Sequence, residues 1–243
     1  MTNIVSKDAW LQARIELLKK EKEHTKARDE LARARQSMPW VKVEKDYLFD
    51  GPDGKVTLKE LFEGKSQLIV YHFMFDPDWD VGCKSCSLIA EHYGPAITHL
   101  AQRDVAMATV SRASLEKLEA FRKRMGWSFK WVSSSNSDFN MDFHVTLSDE
   151  ELIRENNYNY QTVTHQEKEA PGMSVFAMDK YGQIYHTYST YARGLEDFLT
   201  VYRLLDIVPK GRDEDNLSYG MEWVRLKDNY VDDSLINLNS TKQ

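Results

Sequence analysis

The sequence predicts an α/β fold in which a central mixed sheet is flanked by helices. Three observations lead there. Residues 67–75 are apolar without alternation, the pattern of a strand covered on both faces. A helix, a second strand and a second helix follow by pattern, a βαβα order that implies a parallel pair. Further on, Pro171-Gly172, an apolar run at 173–178, the turn Asp179-Lys-Tyr-Gly182 and residues 183–188 read as a β-hairpin.

Taken in order, residues 6–35 are helical. Leu11, Ile15 and Leu18 recur at i, i+4 and i+7, and Ala27, Leu31 and Ala34 repeat the spacing. Glu16 with Lys20 and Asp29 with Arg33 are placed to pair on exposed faces. The apolar stripe is narrow, so this helix is expected on the domain surface or on a second subunit, with its charges solvated. Pro39 ends it. Residues 41–49 read as extended, Asp50-Gly-Pro-Asp-Gly54 as a turn, and 58–62 as a short helix closed by Gly64. Beyond the central strand, a helix is expected over 87–103 with an interruption at Gly94-Pro95, then a strand over 104–110. A helix over 115–125 carries Leu115, Leu118, Phe121 and Arg122 along one side. Residues 127–135 include a strand, whereas 136–170 are polar, aromatic-rich and irregular. The hairpin leads to a last helix over 195–205, and the tail beyond Lys210 is acidic and turn-rich, with a short packed segment near Trp223. The expected organisation is an N-terminal helical extension (1–37), an α/β domain (38–210) and a C-terminal tail (211–243).

Composition narrows the function classes. A chain of 243 residues, 42% hydrophobic, can bury a core without a disulfide framework. Lys7, Asp8, Arg14, Glu16, Lys19 and Lys20 break up any signal-peptide core, and no apolar run is long enough to span a bilayer, so a cytoplasmic location without membrane association is expected. A formal charge of −6 gives no general basis for nucleic-acid binding. No cofactor motif, Gly-rich phosphate loop or Ser/His/Asp constellation is present.

Chemistry concentrates in Gly82-Cys83-Lys84-Ser85-Cys86, which holds both cysteines of the chain and follows the central strand. A CxxC pair beside a βα pattern is a redox signature. At a helix start, unpaired backbone N–H groups and the positive end of the helix dipole favour the Cys83 thiolate over the ordinary thiol of pKa ~8.5. Lys84 adds a cation, while Asp76, Asp78 and Asp80 in the preceding loop oppose it. Cys86, one turn further in, is the candidate resolving thiol.

The βαβα unit with CxxC at its first helix, the proline-led hairpin and the closing helix resemble the thioredoxin-like fold. More specifically, Glu21-Lys-Glu-His-Thr25, Leu31-Ala-Arg-Ala-Arg35, Pro39-Trp-Val-Lys-Val-Glu-Lys-Asp46, Tyr71-His-Phe-Met-Phe75, Val110-Ser-Arg112, Met125-Gly-Trp127 and His186-Thr-Tyr-Ser-Thr-Tyr-Ala-Arg-Gly194 resemble the bacterial DUF899 family of predicted dithiol-disulfide oxidoreductases. The resemblance runs from about Trp10 to Asp213. It implies Cys83 as the attacking and Cys86 as the resolving thiol. Pro171 stands where thioredoxin-like proteins keep a cis-proline whose neighbouring backbone contacts the substrate. With Pro171, Trp79 in the cysteine loop and Arg112 after the second strand complete the expected substrate-binding set. Two departures stand out: Gly82 replaces the tryptophan that thioredoxins place before the first cysteine, and Lys84-Ser85 replaces Gly-Pro inside the ring. The implied partner is a disulfide-containing protein or a small-molecule thiol substrate, with a homodimer as a further candidate.

Three rival readings remain. A peroxiredoxin-like peroxidase needs a threonine three residues before its cysteine and a proline seven before, but here Asp80 and a Pro77 six residues away stand instead. Arg112, after the second strand, is a candidate to reach a site at the strand ends and polarise a peroxide. A copper- or zinc-binding module would combine the thiols with His72, His144, His165 or His186, although no second CxxC or HxxxH pair exists. A binding protein with a vestigial cysteine pair would use Phe139, Phe143, Tyr158, Tyr160 and residues 185–191 as an apolar cleft.

Overall fold

A computed structural model describes residues 3–154, 156–163 and 167–230. The chain divides into one unit ending at Trp40 and another beginning at Val41.

The first unit is a single helix, α1 (Lys7–Gln36). Ser6 caps it by accepting a hydrogen bond from the Ala9 N–H at 3.2 Å. Its ion pairs include Glu16 with Lys19 and Arg14 with Glu21, so Glu16 pairs at i, i+3 where Lys20 is the expected partner. None of its residues is buried.

The second unit contains β1 (Val41–Lys42), β2 (Leu48–Gly51), β3 (Gly54–Thr57), a 3-10 turn (Glu60–Phe62) and β4 (Gln67–His72). Next come α2 (Lys84–Tyr93), a 3-10 turn (Gly94–Ala96), α3 (Ile97–Ala101), β5 (Val105–Ser111), α4 (Leu115–Met125) and β6 (Trp131–Ser133). The stretch read as irregular holds α5 (Phe139–Asp142), α6 (Asp149–Leu152), β7 (Asn156–Tyr158) and β8 (Gln161–Val163). The chain then forms β9 (Gly172–Met178), β10 (Ile184–Tyr191), a 3-10 segment (Ala192–Phe198), α7 (Thr200–Leu205) and a last 3-10 turn (Lys227–Asn229).

The sheet runs β1-β10-β9-β4-β5-β6-β2-β3. β4, β5 and β6 are parallel, while β9 runs antiparallel to β4, and β10 to β9. The order β5-β4-β9-β10, with α2 and α4 after the two parallel strands and α7 after the hairpin, is the thioredoxin-like topology. Side chains alternate across β4: Leu68 and Val70 enter one core with Phe49, Phe62 and Phe176, whereas Ile69 and Tyr71 face a second core with Phe73, Phe121 and Trp131. Burial on both faces is why β4 reads as a continuous apolar run.

Two expectations shift. The helix after the cysteines starts at Lys84, not at residue 87, because the Ser87 N–H already bonds the Cys83 carbonyl at 2.9 Å. Residues 54–57 add strand β3, since the turn at 50–54 closes a hairpin in which Gly51 pairs with Gly54, the latter at φ +121° where only glycine is unstrained.

The sheet register determines which segments meet. His72 at the end of β4 lies opposite Val110 of β5 and Gly172 of β9, and Gly172 pairs with Tyr191 of β10. The cysteine loop, Arg112, Pro171 and Ala192 therefore emerge at one edge of the sheet.

Candidate active site

Cys83 is the N-cap residue of α2, half-buried, with its N–H bonded to the Met74 carbonyl at 3.1 Å. Cys86 is 1% exposed, one turn inside. Both are free thiols. The preceding Gly82 is dictated by space: a Cβ there would sit 2.7 Å from Phe73 and 3.0 Å from Phe121, both buried rings. A tryptophan has no room at this position. Trp79 packs on the edge of the core instead.

The two thiols are driven apart in acidity. A hydrogen bond from the Cys86 thiol holds the Cys83 pKa down to about 7, against burial and with help from the backbone N–H groups of Cys86 and Ser85. Burial pushes Cys86 well up, and the neighbouring Cys83 charge adds to this. Neither Lys84 nor the loop aspartates are among the main groups acting on Cys83. Lys84 turns away, donating to the Glu222 carbonyl at 3.0 Å and lying 5.8 Å from the Tyr219 ring centre. The carboxylate that works against the Cys83 thiolate is Glu167. Beneath the pair, the fully buried Tyr71 is kept protonated by burial and then by the Cys86 charge.

A cleft of about 560 Å³ opens beside the cysteines. Cys83, Ser85, Cys86 and Pro171 line it, with an apolar wall of Met74, Ile89, Leu195, Leu199 and Met221. Cys83, Cys86 and Pro171 thus come together. Trp79 and Arg112 do not line this cleft, and the bond before Pro171 is trans. Arg112 is drawn aside by the buried Glu169, to which it donates at 3.0 Å. Glu169 also accepts from the Thr146 hydroxyl at 2.9 Å, and burial raises its pKa to about 7 despite both partners.

Sequence reasoning missed the far wall, formed by Arg193, Glu196, Tyr202, Arg212, Glu214 and Met221. Glu214 is its anchor, accepting from the Tyr202 hydroxyl at 2.6 Å, the Trp223 indole at 2.7 Å and the Met221 N–H at 2.9 Å. Burial opposes the Glu214 charge, yet these donors hold its pKa below the usual range. Arg212 lies 4.2 Å over the Tyr202 ring and pairs with Glu196 and Asp206. The tail residues 212–226 are therefore a strap laid against the domain, closed by Val224 and Leu226 in buried positions. The packed segment expected near Trp223 is the part of the strap that the sequence showed, since a solvated linker does not need Met221, Trp223, Val224 and Leu226 in one short stretch.

Two histidines of the metal reading, His72 and His186, are used elsewhere. His72 is buried, with Nε2 2.8 Å from the Ser174 hydroxyl, and His186 Nε2 lies 2.7 Å from the Ser189 hydroxyl. His165 falls outside the described residues. Among the described residues no three His, Cys, Asp or Glu side chains converge as a metal site. None of Phe139, Phe143, Tyr158, Tyr160 and the β10 side chains before Tyr191 lines the cleft; Phe139 and Phe143 belong to the core on the opposite face of the sheet. No helix among the described residues is long and apolar enough to cross a membrane.

Several solved structures align with the chain. A cysteine-to-serine variant of Xanthomonas campestris peroxiredoxin Q shares 15% identity over 65% of this chain and 90% of its own, at TM-score 0.42. A Xylella fastidiosa PrxQ variant shares 14% over 69% and 96%, at TM-score 0.43. Peroxidoxin BcpB from Mycobacterium tuberculosis shares 11% over 69% and 96%, also at 0.43. No curated protein matches the sequence. The family described as "Bacterial protein of unknown function (DUF899)" matches residues 1–230, and the chain, with its thioredoxin-like sheet and paired cysteines at the sheet edge, belongs to that family.

Proposed function

We propose that the protein is a dithiol–disulfide oxidoreductase. The observation that carries this reading is the unequal pair on one helical turn: Cys83 half-exposed at the helix cap and Cys86 buried behind it, donating to it. The Cys83 thiolate attacks one sulfur of a substrate disulfide, forming a mixed disulfide and expelling the other sulfur as a thiolate. Cys86 then loses its proton, attacks the Cys83 sulfur, and expels the second substrate thiolate as the Cys83–Cys86 bond closes. The two expelled thiolates take up the protons lost by the cysteines. The substrate disulfide gains two electrons and the protein dithiol loses them. A dithiol donor reverses the bond to complete a cycle.

Glu169 engages one nitrogen of the Arg112 guanidinium, and Arg112 does not line the cleft beside Cys83, which weighs against the peroxidase alternative. Thiol trapping with mass spectrometry across graded glutathione buffers tests the reading. The expected result is a reversible two-electron transition between free thiols and an intramolecular Cys83–Cys86 bond, with a midpoint inside the roughly −270 to −120 mV span of such proteins. Failure to form the bond at any poise would overturn it, and sulfenic acid on Cys83 under peroxide would then favour a peroxidase.

A further inference from the structure

Given the dithiol reading, three features of the cleft bear on what carries the disulfide. The first is the backbone at Pro171. A polypeptide substrate docking beside this proline as an extended strand needs unpaired backbone groups there. The Ala170 N–H is bonded to the Val145 carbonyl at 2.9 Å, proline has no N–H, and the Pro171 carbonyl accepts from the Tyr158 hydroxyl at 2.7 Å. Tyr158 also receives the Ala192 N–H at 3.0 Å, so one buried hydroxyl from the β7–β8 insert ties two walls of the cleft together.

The second feature is the strap. Glu214, gripped by three donors, holds Met221 and Gly220 against the opening, and Lys84 from inside the CxxC ring reaches the strap at Glu222. The space left, about 560 Å³, is that of a small-molecule site, for which roughly 300–1,000 Å³ is usual.

The third feature is charge. The cleft carries Arg193, Arg212, Glu196 and Glu214, two of each sign. Glu196 pairs with both arginines, at 3.0 and 3.2 Å, and Arg212 pairs again with Asp206. A dianionic ligand finds no surplus positive charge here, whereas the wall of Met74, Ile89, Leu195, Leu199 and Met221 is apolar.

We propose that the site acts on small, uncharged organic disulfides, and that Tyr158 and Glu214 exclude polypeptide disulfides by closing the backbone at Pro171 and anchoring the strap. The test mixes the reduced full-length protein, freed of reductant, with bis(2-hydroxyethyl) disulfide, glutathione disulfide or insulin. Formation of the Cys83–Cys86 bond is followed by acid quench and mass spectrometry. Each rate is divided by the rate of the same probe with dithiothreitol, which cancels intrinsic disulfide reactivity. The neutral probe is expected to exceed both others by about tenfold or more, and Tyr158→Phe and Glu214→Ala each to raise the insulin rate by about fivefold. Should either variant fail to fold, the wild-type ratios decide alone. An insulin rate equal to or above that of the neutral probe overturns the exclusion argument, and a faster rate with glutathione disulfide overturns the charge argument. If none of the probes reacts while diamide still closes the Cys83–Cys86 bond, this inference falls alone. If diamide also fails, the dithiol reading falls with it.

Discussion

Replacing Cys86 by alanine isolates the interaction that most lowers the Cys83 pKa. In the native site the Cys83 pKa is brought from 9.0 to about 7. A change of about two units corresponds to roughly 3 kcal/mol in favour of the thiolate. Three hydrogen-bond donors produce the lowering, the Cys86 thiol being the largest, and burial opposes them. With the largest of these donors removed, Cys86→Ala is expected to raise the Cys83 pKa by about a unit. At neutral pH the thiolate fraction then drops from about one half to about a tenth, and the alkylation rate about fivefold with it. The assay is the pH dependence of iodoacetamide labelling at the Cys83 peptide, read by mass spectrometry. The buried Cys86, whose own pKa is raised, contributes little to labelling in the wild-type chain. A wild-type midpoint near 9, or an unchanged midpoint in Cys86→Ala, would refute the reasoning.

Gly82→Ala forces a methyl into contact at 2.7 Å with Phe73, which is wedged against Trp131 at 4.7 Å between ring centres. Overpacking of this kind costs about 1–3 kcal/mol, and calorimetry should show a melting point lowered by about 2–4 °C per kcal/mol. His72, held neutral by burial with its pKa down at about 3 against 6.5, contributes stability that is complete above pH 6.5 and is lost as pH falls through 3. Urea titrations should show wild-type stability falling relative to His72→Phe by about 1.4 kcal/mol per pH unit across that window. Glu169 has the opposite sign: its pKa is raised from 4.5 to about 7, so its favourable contribution is present below 4.5 and is lost as pH rises through 7. Glu169→Gln, which keeps acceptor and shape, should remove that decline, and an unchanged slope would show that Glu169 stays charged.

The central fold was legible because its signals are local or strictly periodic. Residues 115–125 were read at their observed bounds, since Ser114 caps α4 and Gly126, at φ +66°, ends it. β4 and the β9–β10 hairpin were legible from apolar runs and a Gly-containing turn. The insert at 136–170 was not, because its order comes from distant partners: Phe139 packs against Tyr47 and Phe49, and Glu169 is fixed by Arg112. Arg112 itself illustrates the limit. Its place after β5 was readable, but the buried carboxylate that takes it out of the cleft lies 57 residues away in sequence. The strap was legible only as a packed segment near Trp223, since Glu214 reads as one acidic residue among several until Tyr202 and Trp223 converge on it.

The difference between the two cysteines is a consequence of placement, because the residues are chemically identical and three positions apart. β4 ends at the sheet edge, and the loop that follows must turn back through Gly82 under Phe73, which delivers Cys83 to the helix cap. Continuing the helix by one turn then carries Cys86 inward against Tyr71. Any protein that repeats this geometry obtains one half-exposed and one buried thiol, so on the proposed dithiol reading the pair alone does not select a substrate. Selection requires a difference in binding between competing disulfides, and only the walls can supply it. In this chain two segments beyond a minimal thioredoxin-like domain bear on those walls: the strap carrying Glu214 lines the cleft, and the insert carrying Tyr158 braces Pro171 and Ala192 from behind it. Their mutation should therefore change which disulfides react while leaving the acidity of Cys83 in place, since neither residue is among the groups that set it.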